Sequence, residues 1–90
     1  MIVHLGQETM VRQADVVGIF DLDLTTVSRR TRDYLRRAEL AGDVLAVSEE
    51  LPKSFVVCRD GDRTSGRRVY ISPISSLTLG KRAQARYSDE

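Results

Sequence analysis

Residues 54–59 (SFVVCR) and 67–72 (RRVYIS) are two short apolar segments, and the DGDRTSG between them has the composition of a turn. Two such segments so joined read as the arms of an antiparallel hairpin. That commits the second half of the chain to a sheet. The first half supplies further strands. Ile2-Val3-His4-Leu5 runs into a Gly6-Gln7 turn, with Thr9 to Arg12 as the returning arm. Asp15 to Asp21 holds Val16, Val17, Ile19 and Phe20, which predicts a central strand, with Gly18 marking a close backbone approach.

Between these blocks lies a helix. Thr25, Thr26 or Ser28 can cap it, and Gly42 can end it after about Ala41. At 100° per residue Val27, Thr31, Tyr34, Leu35, Ala38 and Ala41 share one face. Arg29, Arg32 and Arg36 lie opposite, with Arg30 and Arg37 on the flank. Val44 to Val47 is a fourth short strand, and Glu49-Glu50-Leu51-Pro52 a turn. Pro73 closes the last strand. Ser75 or Ser76 then caps a final helix to about Arg86, carrying Leu77, Leu79, Ala83 and Tyr87. The order β-β-β-α-β-β-β-α predicts an α+β fold, a mainly antiparallel sheet of short strands with two helices, as one domain over residues 1–90.

Ninety residues give a core near the lower limit of self-sufficiency, a size at which chains often associate with copies of themselves. No apolar run approaches a bilayer span, and MIVHLGQETM has none of the layout of a signal peptide. With one cysteine, an internal disulfide is excluded. The expected location is cytoplasmic, with no membrane partner.

Asp21-Leu22-Asp23-Leu24-Thr25 spells DxDxT, the opening of a phosphatase in which one carboxylate attacks phosphorus and a second exchanges protons. Such an enzyme also needs a phosphate-pairing lysine and a late acidic pair. The only lysines are Lys53 and Lys81, and no acidic pair closes a late strand. The spelling reads instead as a strand leaving the sheet and entering a helix, where acids suit the N-terminal dipole. His4, alternating with Val3 and Leu5, reads as a solvated or interface residue, and Cys58 as a small core side chain. One histidine and one cysteine cannot assemble a zinc site. GDRTSG lacks the lysine and the setting of a phosphate loop. No catalytic residue, metal ligand or cofactor is expected.

The arginines carry the functional signal. Net charge is only +1, but every basic residue except the two lysines is arginine, and five fall between Arg29 and Arg37. Such a helix suits a phosphate backbone, where each contact adds to a salt-dependent affinity; on its own it equally suits a solvated face, or pairing with the acids of a neighbouring copy. Arg12, Lys53, Arg67 and Arg68 are further candidates, and Lys81, Arg82 and Arg86 form a second basic group.

IVHLGQE, DVVGIFD, LPKSFVV and above all VYISPISSLTLGKRAQ resemble, in order over nearly the whole chain, the bacterial extracellular-matrix regulators, the RemA and RemB family, and specifically its RemB branch. DVVGIFD belongs to that pattern, which accounts for Asp21 without phosphatase chemistry. The resemblance implies a small non-enzymatic regulator of biofilm-matrix genes. It further implies a subunit fold compared to LytTR-type DNA-binding domains, assembly into a closed ring that a second family member can join, and backbone contact with DNA of low specificity. In the RemA branch an arginine before the third strand and an arginine-rich loop before the fifth contact phosphate. Asp15 and Leu51-Pro52-Lys53-Ser54 stand there in this chain, so only Lys53 is basic at those positions. DNA contact is expected instead through Arg12, through Arg29, Arg32 and Arg36, and through Arg67 and Arg68 beside a long hairpin loop.

Overall fold

A computed structural model describes residues 1–22 and 28–83. Its elements are β1 (Ile2–Gly6), β2 (Thr9–Arg12), β3 (Val16–Asp21), α1 (Arg29–Leu40), β4 (Val44–Ala46), β5 (Ser54–Arg59), β6 (Arg67–Ser72) and α2 (Ser76–Ala83), with one 3-10 turn over Gln13–Asp15. The fold is α+β with the expected order. Asp23, Thr25, Thr26 and Val27 fall outside the described residues, as do Arg86 and Tyr87.

β1 and β2 form a hairpin of their own, and the other four strands form one sheet in the order β3-β5-β6-β4. β4 runs parallel to β6, and the other pairs are antiparallel. This corrects the expectation of a central β3, which among the described residues pairs only with β5 and lies at the edge. The central place belongs to β5, whose residues 54–58 are all buried. β3 looks central in sequence because it is apolar on both sides. Ile19 packs into the core beneath the hairpin, whereas Phe20 stacks on Phe55 on the α1 side.

The sheet divides two cores. On one side Val56 and Cys58 meet Val3, Leu5 and Val11 of the hairpin and Leu79 of α2. On the other, Phe55, Val57 and Val69 meet Tyr34, Leu35 and Ala38 of α1. His4 is exposed between buried Val3 and Leu5, as the alternation requires, and Cys58 is a core residue. Ala41 and Leu77 are exposed, so each helix buries a narrower stripe than its apolar residues suggest.

Polar groups tie the layers together. Ser72, fully buried, donates to the Leu5 carbonyl at 2.6 Å and accepts from the Ile74 amide at 3.1 Å. Its register partner Ser54 donates to the Ile74 carbonyl at 2.7 Å. The Gln13 side-chain amide donates to the carbonyl of Ala83, joining the 3-10 turn to the end of α2. Ser75 caps α2 by accepting from the Thr78 amide.

Candidate nucleic-acid interface

Of the three possible caps, Ser28 starts α1, accepting from the Thr31 amide. The helix ends in a Schellman arrangement. Gly42 takes φ of 75°, its amide donates to Glu39, and the Asp43 amide donates to Ala38. Arg63, from the loop between β5 and β6, finishes this terminus. Its Nη2 donates to the carbonyls of Gly42 at 2.7 Å and Ala41 at 3.2 Å, and its Nε to Asp43 Oδ1 at 3.0 Å. The Ser65 hydroxyl foremost, and then Arg63, hold the buried Asp43 carboxyl below its ordinary pKa. Arg63 is therefore a structural cation.

Arg29, Arg32 and Arg36 are exposed on α1, as are Arg30 and Arg37. Among the described residues, none of the five makes an ion pair. The first turn of the helix contains no acid, although the N-terminal end of the helix dipole favours one there. Three guanidinium groups within that turn thus add to a field that is already positive.

The remaining expected contacts divide by strand alternation. Arg67 lies on the α1 side, its guanidinium carbon 5.4 Å from the centre of the Tyr34 ring. Arg68 points to the opposite side and pairs with Asp60 at 3.5 Å. There it shares a cavity of about 470 Å³ with Arg12, Asp15, Cys58 and Tyr70. Arg12 is bound to Asp15 at 3.1 Å, and that hydrogen bond lowers the carboxyl and raises the guanidinium from their usual values. Lys53 is exposed at one end of β5, its backbone bridging the Ser72 carbonyl and the Leu22 amide. In the second basic group, Arg82 donates to the His4 carbonyl.

The structure thus brings Arg67 to the arginine helix and separates Arg12, Arg68 and Lys53 from it. It adds Arg30, Phe20 and Tyr34, which with Val17, Phe55 and Arg67 line a groove of about 330 Å³ between β3 and α1. The spacing of Arg30, Tyr34 and Arg37 along one helical flank was the available signal for the cations. Phe20 carried none, because its exposure depends on β3 being an edge. Among the described residues no cluster of three His, Cys, Asp or Glu side chains could hold a metal ion, and no helix is long and apolar enough to cross a membrane.

Fold and surface together define a small α+β domain whose accessible chemistry is that of guanidinium groups, without ion-pair partners among the described residues, beside aromatic rings. No protein-family model matches the chain. It is 36% identical over 84 residues to extracellular matrix regulatory protein B of Bacillus subtilis (strain 168), an alignment covering 93% of this chain and 91% of the relative. The chain belongs to the family of that protein, which agrees with the RemB resemblance of its motifs. The role carried by that family name is regulation of the extracellular matrix.

Proposed function

We propose that the chain is a non-enzymatic, cytoplasmic regulator of extracellular-matrix gene expression that contacts the DNA backbone through α1 and acts as a homo-oligomer, closed into a ring. The observation that carries this reading is the set of exposed α1 arginines without ion-pair partners among the described residues. Arginines held for structure pair with acids or carbonyls, as Arg63 does. These five leave their donors to the surroundings, in a spacing that suits a line of phosphates and carries no base code. A second family member could take a place in the same ring through the same subunit surfaces.

Arg12 and Arg68, each of which also pairs with an acid, and Lys53 carry charge on surfaces away from α1. They join the interface where DNA follows the circumference of an assembly. Exposed apolar side chains supply surfaces for assembly: Leu40 at the end of α1, Leu45 on β4 and Leu51 in the segment before β5, and Met1, Ile2 and Met10 on the hairpin. Two different surfaces meeting head to tail can close a ring.

The test is titration of a labelled duplex of roughly 50 base pairs at several salt concentrations, where each phosphate contact contributes about −0.9 to the slope of log affinity against log salt. Combined Arg29→Glu, Arg32→Glu and Arg36→Glu should weaken binding equally on unrelated sequences and flatten that slope by about 2.7. Unchanged affinity in the triple variant would remove α1 from the interface. The exposed leucines also favour a second reading, an assembly module that acts through a protein partner without touching DNA. On that reading natural chain and triple variant both ignore DNA, and the substitutions change the oligomeric state instead.

A further inference from the structure

Phe20 is a large aromatic residue left 39% exposed on an edge strand. It is held, not loose. Its ring stacks on Phe55, with centroids 4.9 Å apart and planes 19° from parallel, and it leans back along the strand over Gly18. A Cβ at Gly18 would stand 2.7 Å from the ring, so glycine is what permits this posture. The first cations along the groove are Arg30 and Arg67. Arg67 lies over Tyr34, so the Tyr34 face is already covered. Phe20 is the platform that remains open.

The groove does not stop there. A second hollow of about 270 Å³ shares Tyr34 and Arg67 with the first and brings in Arg37. Arg37 follows Arg30 by seven residues, about 10 Å along the helix. A fixed aromatic shelf with an apolar floor, beside a row of cations, is what a single strand of nucleic acid needs. The ring takes a base by stacking, and the guanidinium groups take the phosphates on either side. An intact duplex cannot use the shelf, because its bases are stacked on one another.

The geometry points to a stacking site for one unpaired base at Phe20, with flanking phosphates on Arg30, Arg67 and Arg37, so that the chain holds single-stranded or locally opened DNA in addition to duplex backbone. This rests on the proposed DNA-binding reading and gives it a preferred form of DNA. Duplex reaches only the outer arginines, whereas an opened strand reaches the groove as well.

The chain contains no tryptophan, so Phe20→Trp places a single reporter on the shelf. Its emission should be quenched by an oligothymidylate of about 12 nucleotides, within the usual site sizes of such grooves, and salt should reverse the quenching. Adding Arg30→Glu should weaken that response. In the natural background, Phe20→Leu keeps apolar volume but removes the ring, and should lower single-strand affinity about 5- to 150-fold while leaving duplex affinity in place. Gly18→Ala keeps the ring but displaces it, and should act in the same direction. Melting curves identify any variant whose loss comes from unfolding, and the tryptophan titration then decides alone. Emission unmoved by the oligonucleotide while duplex still binds would overturn the stacking site and leave the proposed function standing. Emission that shifts to the blue with protein concentration and ignores DNA would overturn it in favour of a second copy covering the shelf. Failure to bind either form of DNA would overturn both readings.

Discussion

At the scale of single residues, stability rests on a few polar groups that the apolar pattern does not announce. Ser72 reaches from the sheet to the hairpin, and Ser72→Ala leaves the Leu5 carbonyl and the Ile74 amide without their partner. Orphaning buried groups in this way should cost about 1–3 kcal/mol, read as a lower urea midpoint with an unchanged slope. Arg63→Ala removes donors from two helix-terminal carbonyls and the guanidinium from Asp43, and should lower Tm by on the order of 10 °C. The associated pH dependence has a definite sign. The Asp43 carboxyl is depressed in the folded chain, so its contribution is complete above the unfolded carboxyl pKa and disappears as pH falls through the lower folded value. Acid titration of Arg63→Ala should therefore show a smaller loss of stability across that window than the natural chain, because its Asp43 carboxyl lies closer to the unfolded value. Cys58 acts at the other end of the scale. Burial, and secondarily Asp15 and Asp60, push its thiol from 9.0 to about 11. A raised folded pKa means stability that is intact below about 9 and lost as pH rises towards 11. A thiol reagent at pH 8 should accordingly leave native Cys58 unmodified and label it only on unfolding.

At the scale of elements, α1 sets function against stability. Arginines at the start of a helix oppose its dipole, and no acid in the first turn relieves them. Arg29→Glu should therefore stabilise the fold by about 0.3–1 kcal/mol while weakening DNA binding. A helix selected for stability alone would place the acid there. If thermal melting found the variant less stable, Arg29 would have to hold a structural contact. Much of this element was legible in the sequence: Ser28 as a possible cap, Gly42 as the stop, and the division between Tyr34-Leu35-Ala38 and the arginine back. The hairpin arms at 54–59 and 67–72 were equally legible, since local alternation and turn composition determine them. The place of β3 was not. An edge strand with apolar side chains on both faces reads like a central one, and only the pairing of β5 with β3 and β6 separates the two cases. Strand alternation in Arg67-Arg68 already implied that the two arginines part company. Which of them met the helix depended on the packing of α1 over Val69 and Phe55.

At the scale of the whole molecule, both cores are thin and large apolar side chains remain uncovered. Leu40 and Leu51 are each 81% exposed, and Leu45 sits on the open edge of β4. Uncharged edges of this kind are usually blunted by charge or covered by another chain. In the oligomer we propose, they are covered, and assembly then determines how DNA is held. One subunit offers a short row of cations, while repeated rows on a ring multiply weak contacts through effective concentration. Leu45→Lys places a charge on that edge and should convert the oligomer to monomer, measured by sedimentation velocity. The same substitution leaves every α1 arginine in place. A duplex too short to bridge two subunits should therefore bind the variant and the natural chain alike, whereas a long duplex should lose about 10²- to 10⁴-fold in affinity. Equal loss on short and long duplex would mean that the β4 edge contacts DNA itself. Preserved affinity on the long duplex, with the monomer confirmed, would mean that one arginine helix suffices and that the assembly serves another purpose.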